Sequence, residues 1–375
     1  MKSFTDEHEE LRATVRGLLR DQSDEQAVRT QMETERGWDD EVWRQLAEQV
    51  GLTGLIIPES YGGAGFGYAE LCVVAEEMGR ALLCAPFLST AVMATNALLH
   101  CATDAAKSEL LPGIAAGATT ATLAYADENG RWDLAGIEMM AQEKDGGWVL
   151  DGTKCWVLDG HTADVILVAA RTSTGLELFR VAGDAAGLSR ESVPALDLTR
   201  KLAKLTFAAT PATRQSEGDQ TQGLERALAL TLTALAAEQV GGAQWCLETA
   251  VEYAKTRLQF GRPIGSFQAI KHKCADMLVE VEFAKSAAYN ACWSAADCIE
   301  TGDGWDDFLE AAHLAKAFCS EAYYHAAAEN IQIHGGMGFT WEHPAHLYFK
   351  RAKASELLLG DASHHREALA DKLGI

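Results

Sequence analysis

Gln332, His334, Gly335, Gly336 and Gly338 crowd one short stretch near the C-terminus, and Arg351 follows after Pro344 and an aromatic segment. A helical pattern from Trp305 to about Ile333 runs into these glycines. They end it, because glycine tolerates positive φ and lets a second backbone or a ligand come close. Such a turn offers N–H groups beside an amide side chain, a platform suited to a phosphate-rich ligand. Taken alone, it equally fits a helix C-cap followed by a connector.

Other groups with chemical potential read more plainly as structure. Glu76-Glu77 precede Met78-Gly79-Arg80 on a helical pattern and form a solvated or salt-bridged face. His364-His365 begin the last helical run as a solvated pair, whereas His334 could point toward or away from a ligand. The nine cysteines form no C-x-x-C pair and lie mostly beside Ala and Leu. They read as free buried thiols in a reducing cytoplasm, with neither a zinc site nor a disulfide framework.

The elements that must position these groups fall into three segments. With 48% hydrophobic and 23% charged residues, the 375-residue chain has the composition of a soluble globular protein of two or three domains. The net charge of −22 argues against nucleic acid or an anionic membrane as the main partner. No apolar run reaches membrane-spanning length, and Met1–Glu10 lacks the features of a signal peptide. Residues 1–117 read as helices, with Thr5-Asp6-Glu7 and Asp39-Asp40 as start signals. Within them, LTGLIIPESYGGAGFG imitates a dinucleotide-binding turn, but Pro58 separates run from loop and no alternation of strands and helices follows. It is read as a loop joining helices. Residues 118–215 read as short strands of a compact antiparallel barrel or sandwich, and Thr210–Gly223 as a polar, exposed linker. Residues 222–375 carry three long helical runs, Leu224–Leu258, Ser266–Thr301 and Trp305–Ile333, with broad apolar faces that fit a bundle with a subunit interface.

Three ordered motifs, PESYGGAGFG (Pro58–Gly67), RLQFGRPIGSFQAIKHKCADM (Arg257–Met277) and IQIHGGMGFTWEHPAHLYFKRAK (Ile331–Lys353), resemble signatures of the flavin-dependent acyl-CoA dehydrogenases. The resemblance implies an α+β multidomain fold: a helical N-terminal domain, a middle antiparallel β-domain and a C-terminal four-helix bundle that drives tetramer formation. It also implies FAD as cofactor, an acyl-CoA thioester as substrate and an electron-transfer flavoprotein as redox partner. In this family the thioester loses a proton from Cα to a carboxylate while hydride leaves Cβ for the flavin. That reaction needs a tuned carboxylate, donors for the developing enolate and a rigidly held flavin.

Only part of that machinery is legible. Arg257, Phe260, Gln268, Gln332, Gly335, Gly336 and Gly338 match family positions that contact the adenosine-diphosphate half of FAD across the dimer interface. Arg257 can fork onto a pyrophosphate. Where the family reads T-E-P-G-A-G-S-D, this chain carries Ala126 through Asp133, with Ala126 and Trp132 replacing the hydroxyl residues. The family's W-I-T becomes Trp156-Val157-Leu158, a third lost hydroxyl. The usual base position falls on Leu359 and the minority position on Thr231. Glu238 lies two turns beyond Thr231, about 10 Å along the helix, and Asp361 two residues beyond Leu359. The expectation is therefore a subunit without a catalytic base that completes the FAD site of a competent partner in a heterotetramer. It resembles the base-lacking subunits of bacterial enzymes acting on steroid side-chain CoA esters. A self-sufficient homotetramer using Glu238 or Asp361, and a flavin-free CoA-ester binding scaffold, are the alternatives.

Overall fold

Thr5 starts helix α1 (Asp6–Gln22), its N–H donating to His8 Nδ1 at 3.1 Å. The computed structural model describes residues 4–375. After α2 (Glu25–Glu33), Asp39 caps α3 (Asp40–Glu48) by accepting from the N–H groups of Glu41 (2.7 Å) and Val42 (3.2 Å). Both start signals act where the sequence places them. The Leu52–Phe66 stretch contains two short 3₁₀ turns and folds back on itself, Phe66 N–H bonding Leu55 O at 2.9 Å. It is a loop, as expected. Next come α4 (Tyr68–Arg80), a π-helical segment Phe87–Ala94 leading into α5 (Thr95–Cys101), and α6 (Asp104–Ala115).

The strands are β1 (Ala121–Ala124), β2 (Ala141–Lys144), β3 (Gly147–Leu158), β4 (Val165–Thr172), β5 (Gly175–Ala182), β6 (Leu188–Val193) and β7 (Leu202–Arg214). They form one seven-stranded sheet, ordered β1-β4-β5-β7-β3-β2 with β6 also on β7. The sheet is mixed, which corrects the purely antiparallel expectation: β1 and β4 run parallel in register Ala121↔Val165 to Ala124↔Val168. A parallel pair needs a crossover, here the excursion through β2 and β3. No periodicity within a strand reveals that partner. The polar linker expected at Thr210–Gly223 is also corrected. Strand β7 continues to Arg214, and Thr210, Gln215 and Ser216 are buried. Gln215 N–H bonds Leu178 O at 2.8 Å and Ser216 Oγ accepts from Leu178 N–H at 2.8 Å, so polar side chains here serve the sheet.

The last segment holds α7 (Thr221–Thr256), a hairpin of β8 (Leu258–Gln259) and β9 (Arg262–Pro263), α8 (Gln268–Thr301), α9 (Trp305–His334), α10 (Ala345–Leu357) and α11 (Ala362–Leu373). The three long helices lie within a few residues of their expected bounds. By contact the chain divides into two compact units. One gathers the chain up to Thr30, Tyr68–Leu83 and Leu232–Ile375; the other gathers Gln31–Gly67 and Cys84–Thr231.

In the first unit, small residues set how helices meet. A Cβ on Gly79 of α4 would lie 1.9 Å from Glu238 O, and one on Gly241 of α7 would lie 1.8 Å from Glu76 O. The two helices thus touch backbone to backbone. Glu76 and Glu77 are buried rather than solvated; Arg12 pairs with Glu76 (2.8 Å), and Arg16 bonds both Glu77 oxygens (2.6 and 2.7 Å). A disulfide joins Cys72 of α4 to Cys292 of α8, correcting the expectation that every cysteine is a free thiol. The two positions are 220 residues apart, and nothing in their local sequence marks them as partners. In the second unit, the sheet core is Leu150, Ile166, Val168, Phe179, Leu205 and Phe207 with smaller neighbours. Among the described residues no helix is long and apolar enough to cross a membrane.

Candidate functional site

Helix α9 ends in the glycine turn, and the turn is held by a ring stack. His334 is buried, its Nδ1 2.8 Å from Asn330 O, and its ring lies 4.2 Å from Tyr253 of α7 and 4.4 Å from His343. Burial lowers its pKa, so the neutral ring is favoured. His334 therefore fastens the turn and does not present itself to a ligand. Gly338 is needed for packing, since a Cβ there would meet His334 Cβ at 2.8 Å and Ile331 O at 2.9 Å. Gly335, at φ +60°, and Gly336 face open space instead. A bulky group can approach both backbones.

Beside α7, the hairpin holds Phe260 at φ +53° and 91% exposed. Arg257 is exposed just past the end of α7, its N–H bonded to Tyr253 O and its carbonyl to Ile264 N–H. Gln268 is exposed in the first turn of α8, and Gln332 is exposed in the last turn of α9. All seven expected cofactor-contacting residues thus lie in the first unit. Tyr253 Oη donates to Met337 Sδ at 3.7 Å, which ties the α7 end to the glycine turn. Gly338 apart, they are exposed, a polar and aromatic surface with backbone access.

The carboxylates behave differently. Leu359 is buried at φ +63°, and Thr231 is fully buried with its hydroxyl donating to Ala227 O at 2.8 Å. Neither can accept a proton. Glu238 bonds Arg351 at 3.1 Å, and Arg351 is only 3% exposed. Asp361 caps α11, accepting from His364 N–H at 2.9 Å. The His364-His365 pair is not the solvated doublet expected: His365 is buried, with Nδ1 2.9 Å from His313 Nδ1. It turns inward because its helix packs on α9. Burial, then the neighbouring Lys316, pushes His365 down to about 2; burial also pushes His313 down to about 4.

In the second unit, Ala126 and Leu158 are buried and Trp132 is half-buried, its ring 6.1 Å from Tyr125. Trp156 sits at φ +57° where the β3–β7 register shifts, and is 43% exposed. The residue that sequence reading missed is Lys154. It is fully buried, donating to Asp127 Oδ1 (2.6 Å) and Tyr125 O (2.9 Å). Asp127 in turn accepts from the N–H groups of Glu138 (2.5 Å) and Met139 (3.0 Å). Burial pushes Lys154 down to about 8 against the pull of Asp127. Its parity with Leu150 on β3 was the available signal. The loop from Ala126 to Asp133 thus keeps a firm frame while the hydroxyls that would bond a flavin ring are gone. Among the described residues no cluster fits a metal ion.

Residues 5–118, 122–207 and 223–374 match, respectively, the N-terminal, middle and C-terminal domain models of acyl-CoA dehydrogenase. The chain belongs to the acyl-CoA dehydrogenase family. It is 38% identical over 358 residues to the acyl-CoA dehydrogenase IpdE2 of Mycolicibacterium smegmatis, covering 95% of this chain and 96% of that one. Among solved structures it is similar to the Tcur3481-Tcur3483 steroid ACAD variant, with a TM-score of 0.88, 34% identity and 98% of both chains covered. It is also similar to the ChsE4-ChsE5 complex of Mycobacterium tuberculosis, with a TM-score of 0.90 and 28% identity over 100% of this chain and 99% of that one. The three-domain acyl-CoA dehydrogenase fold is thereby established for this chain.

Proposed function

We propose that this chain is a subunit of a heteromeric acyl-CoA dehydrogenase that lacks a catalytic base and completes the FAD site of a competent partner chain. The observation that carries this reading is the chemistry at the two family base positions, a buried leucine (Leu359) and a buried, backbone-bonded threonine (Thr231). The nearest carboxylates are engaged, Glu238 by Arg351 and Asp361 as a helix cap.

The residues present were tested against FAD half by half. The surface of Arg257, Phe260, Gln268, Gln332, Gly335 and Gly336 fits the adenosine-diphosphate half. It offers a guanidinium for the pyrophosphate, amides for ribose or adenine, and glycine backbones with open space above them. The positions that would serve the ring half do not fit, because Ala126, Trp132 and Leu158 carry no hydroxyl. When bound, the flavin supplies hydride acceptance from the substrate's β-carbon. This chain's part is to bind and orient: Arg257 offsets phosphate charge in a protein of net charge −22, and Phe260 covers an apolar face. Proton removal from the α-carbon falls to the partner's carboxylate. Likeness to a steroid ACAD at 34% identity supports a steroid side-chain CoA ester as the substrate. That structure, Tcur3481-Tcur3483, and the ChsE4-ChsE5 complex each pair two named chains, which supports a heteromeric assembly.

The test removes the partner's base. In the co-expressed complex, changing that partner carboxylate to its amide should abolish flavin reduction by substrate while FAD stays bound. Reduction within tenfold of wild type would mean that this chain supplies a base of its own.

A further inference from the structure

Helix α4 is clasped on two sides within the first unit. Its glycine face lies backbone to backbone on α7, and the Cys72–Cys292 disulfide bonds it to α8 in a contact otherwise made by small side chains such as Ala75 and Ala237. Around the bond runs a polar belt. Tyr289, one turn before Cys292 on α8, donates to Glu76 Oε2 at 2.7 Å, and Arg12 of α1 pairs with the same carboxylate. The bond therefore sits where α1, α4 and α8 meet.

Toward its C-terminal end, α4 is packed on α7 through Gly79 and is flanked on another side by a pocket. A half-open pocket of about 480 Å³ borders Glu77 and Arg80, lined also by Leu19 and Val28 from the N-terminal helices, Trp245 of α7 and Leu347 of α10. α4 is thus held to α7 by close backbone packing and to α8 by a covalent bond.

We propose that Cys72 and Cys292 form a reversible redox clasp, whose reduction lets the α1–α4 pair open from the bundle while α7, α8 and α9 stay folded. The chemistry balances with a low-molecular-weight disulfide such as oxidised glutathione as oxidant. One cysteine thiolate attacks that disulfide and expels one small thiolate; the second cysteine then displaces the other. The protein gains one S–S bond and loses two thiol protons, and the two electrons leave on the two small thiols. Both sulfurs are fully buried, so exchange requires a local opening of the α4–α8 contact.

The test starts with the unmutated protein in the complex in which it is purified. Alkylation in denaturant, mapped by mass spectrometry, should modify seven cysteines of this chain without reductant, the free set, and Cys72 and Cys292 as well after reduction. Amide exchange in α1 and α4 should quicken at least about tenfold on reduction, with α9 unchanged, and glutathione disulfide should restore the slow rate. The Cys292→Ala variant should show the fast rate in either buffer. Labelling of all nine cysteines in unreduced protein would overturn the proposal. So would equal exchange of α4 in both states, or failure of the bond to re-form.

Discussion

The glycine turn with the α7–α8 hairpin and the loop at Ala126–Asp133, the two regions proposed to differ toward a flavin, present opposite chemistry. At the first, the residues suited to phosphate remain and are displayed outward; Phe260 at 91% exposed and Phe339 at 83% exposed are costly unless covered. At the second, the scaffold persists through the Lys154–Asp127 pair while the side chains that would bond the ring are apolar. The scaffold of the second region does not depend on those side chains, because its buried ion pair is costly to break from one side. A surface that serves another chain, in contrast, persists only as long as that chain binds it.

The comparison can be broken most forcefully by expressing the chain alone. It should be colourless and prone to associate, since Phe260, Phe339 and Trp341 would face water. A stable yellow homotetramer would remove the contrast.

The next effect is on stability. Glu238→Ala removes the carboxylate that bonds Arg351, 3% exposed, so thermal or denaturant unfolding should show a loss of about 1–3 kcal/mol. Turnover per bound flavin in the complex should stay within a few-fold of wild type. A fall of ~10²-fold or more with flavin retained would identify Glu238 as a base.

Similar in size is Arg257→Ala. Loss of charge-assisted bonds worth about 1.5–3 kcal/mol each should speed flavin release from the complex by roughly 10- to 100-fold. Unchanged release would show that the exposed surface does not touch the cofactor.

The last effect is absent at neutral pH and concerns what holds the bundle side together. His313 and His365 have folded pKa values near 4 and 2, below the usual 6.5, so the unfolded chain takes up protons first as pH falls. Stability should be complete above 6.5 and decline below it, at up to about 1.4 kcal/mol per pH unit for each fully buried histidine. His365→Leu should make that decline shallower, as read by denaturant midpoints between pH 6.5 and 4.5.

Much of this architecture was legible because it is written locally. Asp39 caps a helix by its own side chain, and the 3.6-residue pattern from Trp305 ends at the glycines that stop it. The residues proposed to contact the cofactor could be named from the sequence for the same reason, as they lie in two continuous motifs. Features that depend on distant partners were not. Val165 beside Ala121, Cys72 beside Cys292 and His365 against His313 are set by packing across 44, 220 and 52 positions, respectively. Lys154 was hidden for a related reason: a lysine on a strand reads as solvent-facing until its buried aspartate is found.

The most direct test counts cofactor. In the purified complex of this chain with its competent partner, FAD released by denaturation is quantified against each chain by absorbance and mass spectrometry. One FAD per partner-made ring seat is expected, which is half an FAD per chain when the two chains are equimolar, and each FAD should be lost when Arg257 of this chain is changed together with Gln332. One FAD for every chain of both kinds would show that the loop at Ala126, Trp132 and Leu158 still seats a flavin ring, and would contradict the division of labour proposed for the two surfaces.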